Sequence, residues 1–368
     1  MKQKNWLSRN WLILVTGLVI GFAAVFLTSQ GNPPNMGFCI ACFLRDISGS
    51  VKLHSTAAVQ YFRPEILGIV LGSMLMAIAS KEFKGKGGSS PVTRFFLGAL
   101  VMIGALVFLG CPLRMVIRIG GGDINAIVGL VGFLAGILVG VVFLKKGFSL
   151  RRAYEQSKVE AAAFPAVLVV TAILCTYYGS RVFLSSVTGP GSMHAPFVLS
   201  LVVGLIVGAL CQRSRLCMAG GLRDVVMFKD FTLIAGFAAI LVAVVVGNLI
   251  FGNGLHFGIK SQPIAHTDGI WNFLSMALVG WGSILLGGCP LRQLVLAGEG
   301  NSDSAITVLG MLAGAAFSHN FRLASAGSSK TNPDGMVTRG GKLAVVFGLV
   351  VLLVVSLVNI QREKKKNG

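Results

Sequence analysis

Acidic side chains are scarce in this chain: 13 Asp and Glu stand against 32 Lys and Arg among 368 residues, and only 12% of residues are charged. A soluble domain carries about 25% charged residues, so a water-soluble globule is excluded. Nucleotide signatures are missing too. There is neither a GxxxxGK[ST] loop nor a GxGxxG set between a strand and a helix, so ATP hydrolysis within the chain has no support. The five histidines (His54, His194, His256, His266 and His319) show no ligand spacing, and no metal or resident cofactor is expected. Seven cysteines, an odd number lying mainly in or beside apolar segments, do not form an extracellular disulfide framework. Cys175 and Cys211 read as apolar filler. The net charge of +19 does not point to nucleic acid, because the basic residues are not gathered on one face. They cluster between apolar runs, at Lys2/Lys4/Arg9, Lys81/Lys84/Lys86/Arg94, Lys145/Lys146/Arg151/Arg152/Lys158 and Arg362/Lys364/Lys365/Lys366. Short loops of this kind stay cytoplasmic and are drawn to anionic lipid.

Apolar residues make up 54% of the chain. A bilayer core needs about 20 of them per helix, and near-spanning runs recur throughout. They are Trp11–Thr28, Ala57–Ser80, Phe95–Gly110, Ile124–Leu144, Phe164–Leu184, Phe197–Cys211, Phe231–Gly252, Ile270–Gly287, Ser304–Phe317 and Lys342–Asn359. The first is longer than a signal-peptide core and no small-residue cleavage site follows it, so it reads as a transmembrane helix. Phe95–Gly110, Phe197–Cys211 and Ser304–Phe317 are short for a span. The expectation is an all-α integral membrane protein of about ten apolar helices, with short re-entrant or broken helices.

Two stretches of the chain repeat. Gly110–Cys111–Pro112–Leu113–Arg114 returns as Gly288–Cys289–Pro290–Leu291–Arg292, and Cys39 with Arg45–Asp46 returns as Cys217 with Arg223–Asp224. The differences 289 − 111 and 217 − 39 both give 178, and one offset across separate motifs means a duplicated unit. Gly132, Ala135 and Gly136 match Gly310, Ala313 and Gly314 at the same offset. With the N-terminus in the cytoplasm, the basic loops at 81–94, 145–158 and 212–229 and the tail fall inside; loop 322–342, which holds Arg322, Lys330, Arg339 and Lys342, falls outside against the rule. The Cys39 motif then enters from outside and the Cys217 motif from inside. Two inverted repeats are therefore expected, a common transporter plan with the substrate path between halves. The expected organisation is a first transmembrane helix (1–30), repeat 1 (31–160), connecting helices (161–211), repeat 2 (212–340), and a last helix with a basic tail (341–368). Small-xxx-small pairs at Gly17/Gly21, Gly68/Gly72, Gly132/Gly136, Gly204/Gly208 and Gly310/Gly314 signal close helix packing.

The boxes carry chemistry. Proline is favoured at the first helical position, so Pro112 and Pro290 open helices after breaks at Gly110 and Gly288. That puts Cys111 and Cys289 at helix N-termini, where free N–H groups and the dipole favour an anion and a thiol leans toward thiolate. Arg114 and Arg292 follow about one turn later. Cys39, Arg45 and Asp46, with Cys217, Arg223 and Asp224, place further ionisable groups at membrane depth, which marks a functional site by default. The bland readings are that a buried cysteine is a small apolar residue and that the arginines snorkel to headgroups. Four paired cysteines, each followed by an arginine, favour the functional reading. Cys39-x-x-Cys42 has zinc-ligand or redox spacing, but its repeat partner has Gly220 where Cys42 would be.

With CxxCxxRD and CMAGGLRD upstream, the paired GCPLR boxes resemble the YeeE/YedE family of membrane proteins over nearly the whole chain. The resemblance implies uptake of sulfur compounds, with thiosulfate as the substrate class, through cysteine stations that would here be Cys39, Cys111, Cys217 and Cys289. The full-length, two-repeat form is most similar to the YedE branch assigned to selenium transport, which is associated with a small cytoplasmic TusA-like sulfur or selenium carrier. The expected function is a transporter, not an enzyme, for a small sulfur- or selenium-containing anion in the bacterial plasma membrane. The alternative is a membrane thiol redox or persulfide relay working with a cytoplasmic sulfurtransferase; a third reading is a subunit that recruits such a carrier. The residues alone leave thiosulfate, selenite and other chalcogen species open.

Overall fold

A computed structural model describes residues 6–252 and 254–364. Lys2, Lys4, Lys365 and Lys366 of the basic clusters lie outside the described residues. The described chain is mostly helical, with almost no sheet. In order it forms α1 (Trp6–Ser29), α2 (Ile40–Ser50), α3 (Pro64–Ala79), α4 (Pro91–Phe108), α5 (Pro112–Gly120), α6 (Ile124–Lys145) and α7 (Lys158–Tyr178). There follow α8 (Phe197–Ser214), α9 (Met218–Phe228), α10 (Thr232–Ile250), α11 (Gly269–Leu286), α12 (Pro290–Gly298), α13 (Ser302–Asn320) and α14 (Arg339–Lys364). Two two-residue strands, Lys86–Gly87 and Tyr154–Glu155, tie neighbouring loops together.

Among the described residues, eight segments are long and apolar enough to cross a membrane: Asn10–Ser29, Pro91–Gly120, Ile124–Lys145, Lys158–Tyr178, Phe197–Phe228, Thr232–Ile250, Gly269–Gly298 and Arg339–Ile360. The protein is a multi-pass membrane protein. The expected spans Ala57–Ser80 and Ser304–Phe317 fold as α3 and α13 but are not among the eight. The helix α3 has 16 residues, and α13 carries Asp303, Ser304, Thr307, Ser318 and His319.

Local chemistry sets the ends. Proline opens α3, α4, α5 and α12, where its missing N–H costs nothing. The Asp123, Ser157 and Asn301 side chains cap α6, α7 and α13 by accepting from Asn125, Glu160 and Ser304 N–H groups. The broken helices appear where the boxes predict them. At Leu109 (φ 62°) α4 stops, Cys111 is extended, and α5 starts at Pro112. At Gly287 (φ 81°) α11 stops, Cys289 is extended, and α12 starts at Pro290.

Packing follows the duplicated order. On α1 lies α10, and on α3 lies α8; α4 packs on α13, α6 on α11, and α4 meets α11 at the centre. Each small-xxx-small pair sits in one of these contacts. Gly68 and Gly72 lie against the α8 backbone at Leu201 and Leu205, Gly132 and Gly136 against α11 at Phe273 and Ala277, and Gly310 and Gly314 against α4 at Phe95 and Ala99. Where no hydrophobic force acts between helices, such close backbone approach supplies the dispersion contacts. The broken spans 91–120 and 269–298 are 89% buried along their most apolar stretch, against 22–44% for the other six, so they form the middle of the bundle.

Two opposite faces result. On one, Ala195 N–H donates to Asn32 Oδ1 (2.9 Å), joining the end of α1 to the start of α8. On the other, Arg215 after α8 donates to Glu82 after α3 (2.8 Å), and Lys84 and Lys86 bond the carbonyls of Glu299 and Gly300.

Candidate functional site

The strand of chain after α1 turns back into the protein. Gly37 lies against the backbone of Ala24, within α1. Cys39, at the bottom of this dip, adopts an extended conformation (φ −147°, ψ 105°), and its sulfur accepts from Cys42 N–H at 3.3 Å, as a serine hydroxyl would at an N-cap. The helix α2 then climbs back, and Leu53 O accepts from Asn320 at the end of α13. The second copy repeats the cap: Cys217 (φ −151°, ψ 121°) accepts from Gly220 N–H at 3.2 Å.

The breaks bring the box cysteines to these caps. The Cys39 and Cys111 sulfurs are 4.0 Å apart, and Cys42 joins them with its sulfur 2.9 Å from that of Cys39. In the other half Cys289 N–H donates to the Cys217 sulfur at 3.5 Å. The amides of Arg114 and Ala41 bear on Cys111, and those of Arg292 and Met218 on Cys289. All five cysteines are at most 5% exposed. The four expected stations thus form two clusters, Cys39/Cys42/Cys111 and Cys217/Cys289.

The clusters lie toward opposite faces. Arg114, beside the first, reaches the carbonyls of Pro263 and Ile264 in the loop that leads into α11. That loop and α5 border a cavity of about 200 Å³ lined by Asn35, Ile117, Asn248, His256 and Pro263. Beside the second, Arg292 bonds Glu299, which lines a cavity of about 390 Å³ with Lys81, Glu82, Lys84, Lys86 and Arg215. The arginines differ in environment. Arg114 is fully buried; it donates to the carbonyls of Asn35 (2.9 Å), Leu109, Pro263 (3.3 Å) and Ile264 (3.2 Å) and lies 3.8 Å from the Cys42 sulfur. No carboxylate comes within 4.0 Å of it among the described residues. Arg292 donates to Glu299 Oε1 at 3.0 Å.

Arg45 and Asp46 form an ion network on α2. Arg45 pairs with Asp46 at 2.7 Å, and Asp46 also holds Arg63 at 2.8 Å. Arg63 in turn bonds the Pro190 and Met193 carbonyls and covers the Phe43 ring. This network ties α2 to the loop before α8. Arg223 and Asp224 pair with each other at 2.8 Å and are partly exposed.

A family profile described as Sulphur transport matches residues 2–112 and 213–367. The chain belongs to this Sulphur transport family, the YeeE/YedE group. It is 27% identical over 184 residues to the protein described as thiosulfate transporter TsuA of Escherichia coli (strain K12), a match covering 47% of this chain and 49% of the relative. The chain therefore spans about half the length of the curated relative it matches.

Sequence spacing missed several residues of the site in this family member. Arg118, buried one turn after Arg114, pairs with Asp123 at 2.7 Å and lies over the Phe108 ring at 4.3 Å. Its i, i+4 relation to Arg114 was the available signal. Glu299 and Arg63 had none, because their partners are brought in by folding. His54 and His319 stack at 4.6 Å, and His54 Nε2 lies 3.1 Å from Arg45 O, so two histidines expected to be idle brace α2.

Proposed function

We propose that the protein carries a small sulfur- or selenium-containing anion of the thiosulfate type across the bacterial plasma membrane, passing it between two cysteine stations. One observation carries this reading: a cap thiol and a box thiol meet at a helix break, with an arginine three residues after the box thiol, and the arrangement is built twice, toward opposite faces. Helix N-termini and guanidinium groups suit the oxyanion end. Thiol S–H groups are weak donors and suit the terminal chalcogen. Weak, repeated sites favour passage over trapping. The printed description of the relative, a thiosulfate transporter, supports the substrate class.

The halves are read as inverted repeats. In support, α4 and α11 are related by the offset of 178, yet run antiparallel: Gly104 packs on Ser275 and Val279, while Gly282 packs on Val101. The end of α1 meets the start of its counterpart α8. The basic loops at 81–94 and 145–158 share the Glu82 face, which makes that face cytoplasmic. Both termini then lie in the cytoplasm, and the basic face suits docking of an acidic TusA-like carrier.

Purified protein in proteoliposomes should take up labelled thiosulfate or selenite, and Cys111→Ala and Cys289→Ala should each abolish uptake at normal protein levels. Full uptake by both variants ends the proposal. The close Cys39 and Cys42 sulfurs favour a second reading, a persulfide relay feeding a sulfurtransferase. It requires covalent adducts on these cysteines, visible as mass shifts after substrate exposure; hydrogen-bonded passage gives none.

A further inference from the structure

We propose that Glu299 is a built-in competitor of the transported anion, holding Arg292 when the second station is empty and driving release there. The inference rests on the transport reading above and deepens it. Arg114 and Arg292 occupy the same place in the two boxes, but their charge balance differs. Arg114 is held by carbonyl dipoles and a sulfur, with no carboxylate within 4.0 Å among the described residues, so the first station keeps a positive potential. At the offset of 178 the position of Glu299 is Gly121 in the first half, which cannot supply a carboxylate.

In the second half Arg292 Nη1 donates to Glu299 Oε1 at 3.0 Å. The other Glu299 oxygen accepts from Arg215 Nη1 at 3.3 Å, and Arg215 Nη2 donates to Glu82 Oε2 at 2.8 Å. Gln212 Nε2 donates to that same oxygen at 2.6 Å. This chain of charges forms one wall of the 390 Å³ cavity, whose other cations are Lys81, Lys84 and Lys86. An anion reaching Cys289 must take Arg292 from Glu299. When it leaves, the carboxylate returns to the guanidinium, so departure carries its own replacement and the second site stays weak. The cation-lined cavity beyond receives the released anion. The two boxes thus differ in how firmly they hold the anion, and the difference lies in one residue present in one half only.

The test uses full-length protein. Equilibrium binding of labelled thiosulfate and flux in proteoliposomes are measured for wild type, Glu299→Gln and Glu155→Gln. Glutamine fits at Glu299, which follows the last turn of α12 at the cavity wall. Removing a close competing charge should tighten thiosulfate binding roughly tenfold and lower maximal flux. Glu155→Gln removes the same charge from the exposed strand paired with Lys86–Gly87, on the same face but outside the Glu299 network, and should change affinity less than about twofold. Wild-type flux with Glu299→Gln unchanged in affinity and rate overturns this inference alone. Equal effects of both variants also overturn it, since a general field would then suffice. A wild-type protein that carries no thiosulfate overturns the transport reading itself.

Discussion

Arg114→Lys keeps the charge beside Cys42 and Cys111 but breaks its cage. The guanidinium serves the carbonyls of Asn35, Leu109, Pro263 and Ile264. An ammonium has three N–H donors, so at least one buried carbonyl loses its partner. A hydrogen bond to a charged group contributes about 1.5–3 kcal/mol, and the variant should lose about that much stability, seen as a lower unfolding midpoint in detergent. Arg114→Met would strand four acceptors at about 1–3 kcal/mol each, which is why lysine is the better probe. The second readout is ligand protection. A ligand at 100 times its Kd stabilises the folded state by about 2.7 kcal/mol. Losing the planar fork should weaken an oxyanion about tenfold, which removes about 1.4 kcal/mol. Thiosulfate at that concentration should therefore protect the lysine variant about half as well as wild type. An unchanged midpoint without ligand refutes the cage. Undiminished protection by thiosulfate refutes Arg114 as part of the anion's seat.

Three further outcomes follow from local geometry. A Cβ at Gly72 would overlap the Leu205 carbonyl oxygen, so Gly72→Ala should lower the unfolding midpoint by an amount equivalent to about 1–3 kcal/mol; a midpoint equal to wild type contradicts the α3–α8 contact. Cys217 caps α9 and is also a proposed station, and serine separates the roles: Cys217→Ala should cost about 1 kcal/mol of stability while Cys217→Ser costs little, and both should lose flux. A serine variant with full flux would make the thiol a cap only. Burial pushes the His266 imidazole down to about 4 from 6.5, with Arg118 adding to it. The unfolded chain then takes up a proton that the folded protein refuses, so this contribution is whole above pH 6.5 and falls away toward pH 4, by roughly 3 kcal/mol. Unfolding midpoints measured across that window should drop steeply for wild type and less for His266→Asn; parallel curves contradict it.

Much of the fold was legible because the duplication survives where the chemistry is. The helices α2, α4 and α5 recur as α9, α11 and α12 at the offset of 178, residue for residue at both ends. Proline after cysteine located the breaks, since a missing N–H is harmless only at a helix start. Cys111 and Cys289 could be placed at helix N-termini from that alone. What folding adds could not be read. The carbonyl cage of Arg114 comes from Asn35, Pro263 and Ile264, and no spacing links them to the box. Asp46 pairs with its neighbour Arg45, but its second partner Arg63 lies 17 residues on, across a loop, where no spacing signals it. The spacing of Cys42 leaves its role open, and only the fold puts it beside Cys39 and Arg114 in the first cluster. The loop 322–342 conflicted with the charge rule, and its Lys342 pairs with Asp268 at 3.4 Å, which removes one charge from the conflict.

The central claim is that oppositely oriented halves present their thiols to opposite sides of the membrane, and sided thiol labelling tests it most directly. Variants retaining only Cys111 or only Cys289 would be exposed to a small, membrane-impermeant methanethiosulfonate, added to sealed inside-out and right-side-out vesicles in turn. The account predicts that Cys111 reacts from the external side and Cys289 from the cytoplasmic side, each more slowly with thiosulfate present. Reaction of both cysteines from one side, with the same rate whether or not thiosulfate is added, would contradict it.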